Sequence, residues 1–256
     1  MLAHPDTTIR YSPSEPIALD PVVKGIGRVR LTPAIGEPST VTLEKLQDGL
    51  ARQSIPNRIR LEWLGDDAAE YESSIELVSR HYFPLVALRG KDKDIDGFDD
   101  EEAFPDEMLY EARQAATDVF EQAARRSFVH RIGRTKDYGR NNLLNLNHGD
   151  VYELLCGGYV QVSDCQLERG IDQGRQYPFW IEYLYGADEM PSEVSRAVLE
   201  LAAYTLRPTN RPIGATGESS DAGYIHFTTA GRDGATSIPE VNAAIEQFGR
   251  GVQYVW

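Results

Sequence analysis

The sequence predicts an α+β fold: a small helical bundle with an inserted β-sheet region, preceded by a β-rich N-terminal part and followed by an extended C-terminal tail. Three observations predict it. Short runs rich in β-branched and aromatic residues are set apart by Gly, Pro and acidic segments. Three stretches carry the apolar spacing or the start and stop residues of helices. The regular strand-helix alternation of a parallel-sheet enzyme is absent.

Residues 1–20 hold Pro5, Pro13 and Pro16 with little apolar periodicity and are expected as an extended arm. Residues 21–104 form the β-rich part, with candidate strands in VKGIGRVRL (23–31), NRIRLEW (57–63) and HYFPLVAL (81–88). TLEKLQDGLARQS (42–54) fits a strand or a short helix. Pro105 then opens the clearest helix, expected over 105–127. Met108, Ala112, Ala115, Val119 and Ala123 fall on one face of it, with Asp106, Glu107 and Glu111 early and Arg125 and Arg126 at its end, as the helix dipole favours.

Strand-like runs return in FVHRI, NLLNL, DVYELL, GYVQVS and FWIEYLY, between residues 128 and 187. A second helix is expected between Pro191 and Pro208, with Val194, Ala197, Val198 and Leu201 as an apolar stripe facing the first helix. GYIHFTT (223–229) reads as a strand within a hairpin, and a third helix covers 238–248, with Ser237 and Glu240 spaced as a capping box and Gly249 as its stop. Residues 105–248 thus make one core of helix, β insertion, helix, β hairpin and helix, and 249–256 a tail.

The chain has 256 residues and a net charge of −14, with 12 basic and 19 acidic residues before residue 105 and 14 and 21 after it, so each part carries −7. Tight binding to duplex phosphates is disfavoured. Charge is concentrated in two places: Asp92–Glu102 holds seven acids against one lysine, and Arg125–Arg140 holds six basic residues against one acid. No run of 18 apolar residues could span a bilayer, and the N-terminus lacks the basic start and apolar stretch of a secretory signal, so the chain is expected to be soluble and made in the cytoplasm. Cys156 and Cys165 lie outside any CxxC pair and are expected to be reduced.

The search for chemistry returns no catalytic motif. Gly25 and Gly27 lack the third glycine and following helix of a dinucleotide loop, and GATGESS (214–220) has no GxSxG nucleophile turn. The five histidines are scattered without metal-ligand spacing, so no cofactor or metal site is expected. Asp92, Asp94, Asp96 and Gly97 open like a calcium loop, yet position twelve is Ala103 where a bidentate Glu is needed. A solvated acidic loop is the simpler reading of 92–102, and a protein interface the simpler reading of 125–140, where Phe128 and Tyr138 interleave the arginines in a pattern that would also suit single-stranded nucleic acid.

The segments YEARQAATDVFEQAARRSF, YLYGADEMPSEVSRAVLELAAYTLRP and GYIHFTTAGRDGATSIPEVNAAIEQFGR resemble the head-to-tail connector, or adaptor, proteins of long-tailed bacteriophages, especially those of actinobacteria. The resemblance lies in the order of long helix, β insertion, a helix introduced by Pro-Ser-Glu, and a late helix with a tail, and it leaves the first 104 residues uncovered. It implies a structural virion protein at the head-tail junction and not an enzyme. It further implies a homo-oligomeric ring, dodecameric in the family, that binds the portal protein and a tail-side completion protein and lines the channel for passing DNA. Another minor virion or tail-completion protein is the alternative, and a metal-dependent hydrolase would need acids and a metal gathered in one cleft.

A cyclic ring joins two different patches of each subunit. The acidic 92–102 stretch and the basic stretch, through Arg125, Arg126, Arg131, Arg134, Lys136 and Arg140, form a complementary pair for such a contact. In the tail, Val252, Tyr254 and Trp256 alternate with Gln253 and Val255, which suits a strand that either packs in a groove of its own domain or, as the resemblance favours, docks on the portal or a neighbouring subunit.

Overall fold

A computed structural model describes residues 1–65, 69–91, 97–170, 176–207 and 235–250, and the backbone alone of 217–220 and 223–226. Its fold is α+β. The chain divides into two compact units, one of Met1–His81 with Ser127–Glu189 and the other of Tyr82–Arg126 with Met190–Trp256. The inserted strands therefore group with the N-terminal strands, and the long helices group together.

The first unit begins with β1 (Leu2–Ala3), β2 (Thr8–Tyr11), β3 (Asp20–Pro21), β4 (Arg28–Pro33) and β5 (Ser39–Thr42), followed by a 3-10 turn at Leu43–Lys45, α1 (Leu46–Ala51), β6 (Asn57–Leu64) and β7 (Ala69–Leu77). Five of these strands make a sheet in the order β2-β7-β6-β4-β5, parallel only between β2 and β7. Strand alternation sorts its side chains: Ile59, Leu61 and Trp63 of β6, Val29 and Leu31 of β4, and Ile75 and Leu77 of β7 are all fully buried. Burying a side chain of this size contributes about 1.5–3 kcal/mol. The one polar atom in this set is satisfied, because Trp63 Nε1 donates to Ser73 Oγ at 2.8 Å. On α1, Gly49 lets the helix approach the sheet, since a Cβ there would sit 3.1 Å from Leu31 Cδ1 and 3.2 Å from Val41 Cγ1.

The first twenty residues, expected as an extended arm, contribute a strand to the sheet. β2 is a sheet strand paired in register with β7, Thr8 to Ser74 through Tyr11 to Leu77, and Ala3, Ile9, Tyr11, Ile17 and Leu19 are buried. The prolines flank the strand and do not interrupt it, so they set turns without preventing pairing.

The same unit continues with β8 (Arg131–Asp137), β9 (Leu143–Asn145), β10 (Val151–Leu154), β11 (Tyr159–Ser163), β12 (Gln166–Arg169) and β13 (Phe179–Tyr185), in two three-stranded sheets ordered β10-β13-β8 and β11-β12-β9. Leu146, Val151, Leu167, Ile181, Tyr183 and Tyr185 form their shared core. Beside it, Asp137 is held by Arg169, with Nη2 to Oδ1 at 2.9 Å, and by the Tyr159 hydroxyl at 2.9 Å.

The second unit contains α2 (Leu85–Arg89), α3 (Asp106–Ala124), α4 (Ser192–Leu206), a hairpin of β14 (Gly217–Ser220) and β15 (Gly223–His226), and α5 (Pro239–Phe248). HYFPLVAL, expected as a strand, instead enters α2 after Pro84: Leu85 and Leu88 are buried while Val86 is exposed, a spacing of three and not two. On α4 the buried residues include Val194, Ala197, Val198 and Leu201, the stripe expected of it, and α4 packs on α3. On α3 the buried face is rotated from the expected one: Leu109, Ala112, Ala116, Phe120 and Ala124 point inward, whereas Met108 and Val119 are 42% and 44% exposed. Leu109 and Phe120 outweigh the mostly smaller residues beside them, so their azimuth decides which face turns in.

The cap of α5 also differs from the expected Ser237–Glu240 box. Thr236 Oγ1 accepts from Ile238 N at 3.2 Å, and Asn242 Oδ1 accepts from Thr236 N at 2.8 Å. Gly249 ends the helix in extended backbone, φ −73°, so its role is space and not a left-handed turn. The chain there crosses the end of α3, where Arg250 N donates to the Ala124 carbonyl at 2.8 Å, satisfying one of the helix's last acceptors. A Cβ on residue 249 would lie 2.3 Å from the Ile245 oxygen and 3.2 Å from the Ala124 backbone. Gly249→Ala is therefore expected to cost about 1–3 kcal/mol, read as a lower melting temperature with the fold retained. An unchanged melting temperature would contradict this close approach.

Candidate functional site

The residues singled out by sequence do not form one patch. Arg125 and Arg126 lie in the helical unit, and Arg131, Arg134, Lys136 and Arg140 in the β unit. Arg125 is the C-cap of α3, with a left-handed φ of 55°, and Arg126 donates to the Phe248 carbonyl at 3.3 Å. Val252, Tyr254 and Trp256 lie outside the described residues, as do Asp92, Asp94 and Asp96. The rest of the acidic stretch is a loop pinned from within: Phe98 is buried against Phe104, ring centroids 5.0 Å apart, while Asp99, Asp100, Glu101 and Glu102 are exposed.

Arg131 is not an exposed interface charge. It donates from Nε and Nη2 to the Glu76 carboxylate at 2.7 and 2.5 Å, and Arg10 Nε approaches the same carboxylate at 3.7 Å. The register explains why these groups meet, since β2, β7 and β6 place Arg10, Glu76 and Arg58 in one cross-strand row on the polar face of the sheet, and β8 delivers Arg131 to it. Burial alone would raise the Glu76 pKa. The charge and hydrogen bonds of Arg131, with the charges of Arg10 and Arg58, outweigh that and hold it below 4.5.

The next row, Thr8, Ser74, Arg60 and Thr32, runs across four strands beside the first. Over these rows opens a cleft of about 540 Å³ whose other wall includes Arg134, His148 and Glu182. His148 Nδ1 is 2.9 Å from the Tyr183 hydroxyl, and its ring stacks on Tyr185 at 4.1 Å. Gly133 leaves room for that pair, because a Cβ there would meet Tyr183 Cε2 at 2.5 Å and His148 Nδ1 at 2.9 Å. Burial, aided by the charge of Arg131, pushes the His148 pKa down to about 4, so the imidazole is neutral at pH 7.

The remaining basic residues make a ladder with two exposed aromatics. Arg134 lies over the Trp180 ring at 4.6 Å, Lys136 at 5.5 Å from the same ring and 5.4 Å from Tyr138, and Arg140 at 5.9 Å from Tyr138. Trp180 is 46% and Tyr138 59% exposed. The face combines charge with large flat side chains, the composition of protein interfaces. Among the described residues no group of three or more His, Cys, Asp or Glu could hold a metal ion, and Cys156 and Cys165 are free thiols.

Sequence reasoning passed over Glu76, Arg10, Arg58, His148 and Trp180. The signal for two of them was present: Arg58 occupies the polar phase of NRIRLEW, and Trp180 the exposed phase of FWIEYLY.

No family model matches the chain, and no curated protein matches it. Among solved structures it is similar to a chain in the virion of a native gene transfer agent particle, at 17% identity and a TM-score of 0.39, over 68% of this chain and 92% of that one. It is also similar to a chain in the neck of an empty gene transfer agent particle computed with C6 symmetry, at 18% identity and a TM-score of 0.34, over 51% of this chain and 82% of that one. At these scores neither likeness decides what this chain does.

The Glu76 cluster has a measurable signature. Its pKa is depressed on folding, so the stability it contributes is present above the normal carboxylate range and is lost as pH falls through the lower folded value. Glu76→Gln, which leaves buried guanidinium groups without their carboxylate, is expected to lose about 3–5 kcal/mol in urea unfolding at pH 7. Its stability should also fall less steeply than the wild type's as pH drops below 4.5. Equal acid sensitivity in the two proteins would show that Glu76 does not carry the effect.

Proposed function

We propose that this chain is a structural subunit of a tailed-phage virion, a connector that forms a ring under the portal and joins head to tail. The observation that carries the reading is the connector-like order of elements in residues 105–250, with α3, α4 and α5 in mutual contact and the strands β8–β13 inserted in sequence between α3 and α4. Its partners in this reading are further copies of itself, twelve in the family, the portal protein and a tail-side completion protein, with DNA in transit. The subunit is synthesised in the host cytoplasm, works without a cofactor and catalyses no reaction. No helix among the described residues is long and apolar enough to cross a membrane.

A ring contact between unlike patches is supported by two exposed surfaces of opposite sign. One is the loop of Asp99, Asp100, Glu101 and Glu102, and the other the Arg134, Lys136 and Arg140 ladder with Trp180 and Tyr138. Trp180 and Tyr138 supply the apolar anchors that charges alone lack. A net charge of −14 disfavours retention of DNA, as a conduit requires. Residues 249–256, with Val252, Tyr254 and Trp256, are the segment proposed to dock on the portal or a neighbour.

The test is ring formation on the portal, followed by mass photometry and negative-stain microscopy. Arg131 is unsuited to charge reversal, because a carboxylate there would face Glu76. Lys136→Glu with Arg140→Glu avoids that cluster and is expected to leave the melting temperature nearly unchanged while weakening ring formation several-fold at low salt, with a smaller effect at high salt. Rings that assemble equally well at low salt would remove the ladder from the contact. A wild-type chain that neither binds the portal nor forms rings on it would overturn the connector reading.

A further inference from the structure

The cleft above the polar rows of the five-stranded sheet has more positive charge than its own chain neutralises. Arg58, Arg60, Arg131 and Arg134 line it against two carboxylates, Glu76 and Glu182. Arg131 is held by Glu76, and Arg60 by Glu62, Nη2 to Oε1 at 3.0 Å. Arg58 spends Nη2 on the Ile132 carbonyl at 3.1 Å, which fixes its guanidinium group, and its Nη1 is buried without a hydrogen-bond partner among the described residues. Arg134 lies over the Trp180 ring, 4.6 Å from its centroid, a contact that does not neutralise the guanidinium. Ser74 and Thr32 add hydroxyl donors on the floor. A buried N–H with no acceptor is costly, and a guanidinium already oriented loses little further entropy on gaining one.

We infer that this cleft binds an oxyanion, a phosphate or carboxylate group received by Arg58 from the sheet and Arg134 from the opposite wall. The cleft's volume, about 540 Å³, lies within the ordinary range of small-molecule sites, so the oxyanion is one group of a larger ligand or side chain. A modest, local excess of positive charge on a chain of net charge −14 suits a small anion better than a nucleic acid strand, whose many phosphates the rest of the surface repels. Glu182, which lines the same cleft and lies opposite Arg134 across β13 and β8, offsets part of the positive charge and leaves an excess carried by Arg58 and Arg134. This inference shares Arg134 with the proposed ring contact, but it rests on Arg58 and the cleft and is tested on a single subunit in solution, so phosphate binding that needs Arg58 separates it from that reading.

The experiment is calorimetric titration of the full-length chain with three probes: inorganic phosphate, a synthetic peptide of its own residues 91–104, and a short oligothymidine. Saturable binding of phosphate or of the acidic peptide is expected. Phosphate alone assigns the ligand to the phosphoryl class, whereas preference for the peptide assigns it to carboxylates such as those of a second copy. Arg58→Gln and Arg134→Gln should each weaken the binding at least about tenfold, with circular dichroism confirming that both variants fold. Arg30→Gln, on the same sheet face but paired with Glu62 and outside the cleft lining, should leave it unchanged. Arg134→Gln keeps the test decisive if Arg58→Gln proves unstable. No binding of either probe, binding of the oligothymidine alone, or binding indifferent to both substitutions would overturn the inference.

Discussion

A single buried carboxylate organises the β unit. Glu76 sits in the middle of a sheet face, among Arg10 on one neighbouring strand, Arg58 on the other, and Arg131 arriving from an element that begins 55 residues later in the chain. An uncompensated buried charge costs several kcal/mol, and more than one guanidinium group around one carboxylate is tolerable only when each finds an acceptor. That requirement ties the strand pairing of β2, the register of β6 on β7 and the seating of β8 into one condition. A one-residue slip of any of these strands would turn its charge to the apolar face. The apolar side of the same sheet provides the driving force, and the polar side specifies the arrangement.

The helical unit follows a different logic. α3 and α4 pack on each other, with Ala112, Ala116 and Phe120 buried on α3 and Ala197, Val198 and Leu201 buried on α4. Arg113 is 1% exposed there, donating to the Phe83 carbonyl at 3.1 Å with its guanidinium 4.4 Å from the Tyr110 ring. The same helix leaves Met108 and Val119 outward, so α3 carries apolar residues on two sides.

Much of the architecture was legible because the local pattern and the tertiary contacts agree. NRIRLEW alternates as a half-buried strand should, and the α4 stripe is the stripe that is buried. Legibility failed where a remote partner decides the outcome. β2 is four residues long and acquires its identity from parallel pairing with β7, which no local signal announces. HYFPLVAL is apolar enough for either period, and burial of Leu85 and Leu88 settles it. On α3 two adjacent apolar azimuths compete, and bulk decides. In the candidate site the linear cluster 125–140 is misleading, because the pairing of Arg131 with Glu76 and the unit boundary at Arg126 divide charges that are neighbours in sequence. Arg58 and Arg134 share a cleft only through the fold, so no spacing rule could have joined them.

Taken as a ring subunit, the molecule separates two tasks. Buried charge networks at Glu76 and Asp137 tie strands of the β unit together, while the exposed ladder and the acidic loop are the surfaces proposed to meet neighbours. The most direct measurement is cryo-electron microscopy of the particle that contains this chain, refined without imposed symmetry at the head-tail junction. The account predicts a closed ring of this fold under the portal. Density for the chain elsewhere in the particle, or a particle that is complete without it, would contradict it.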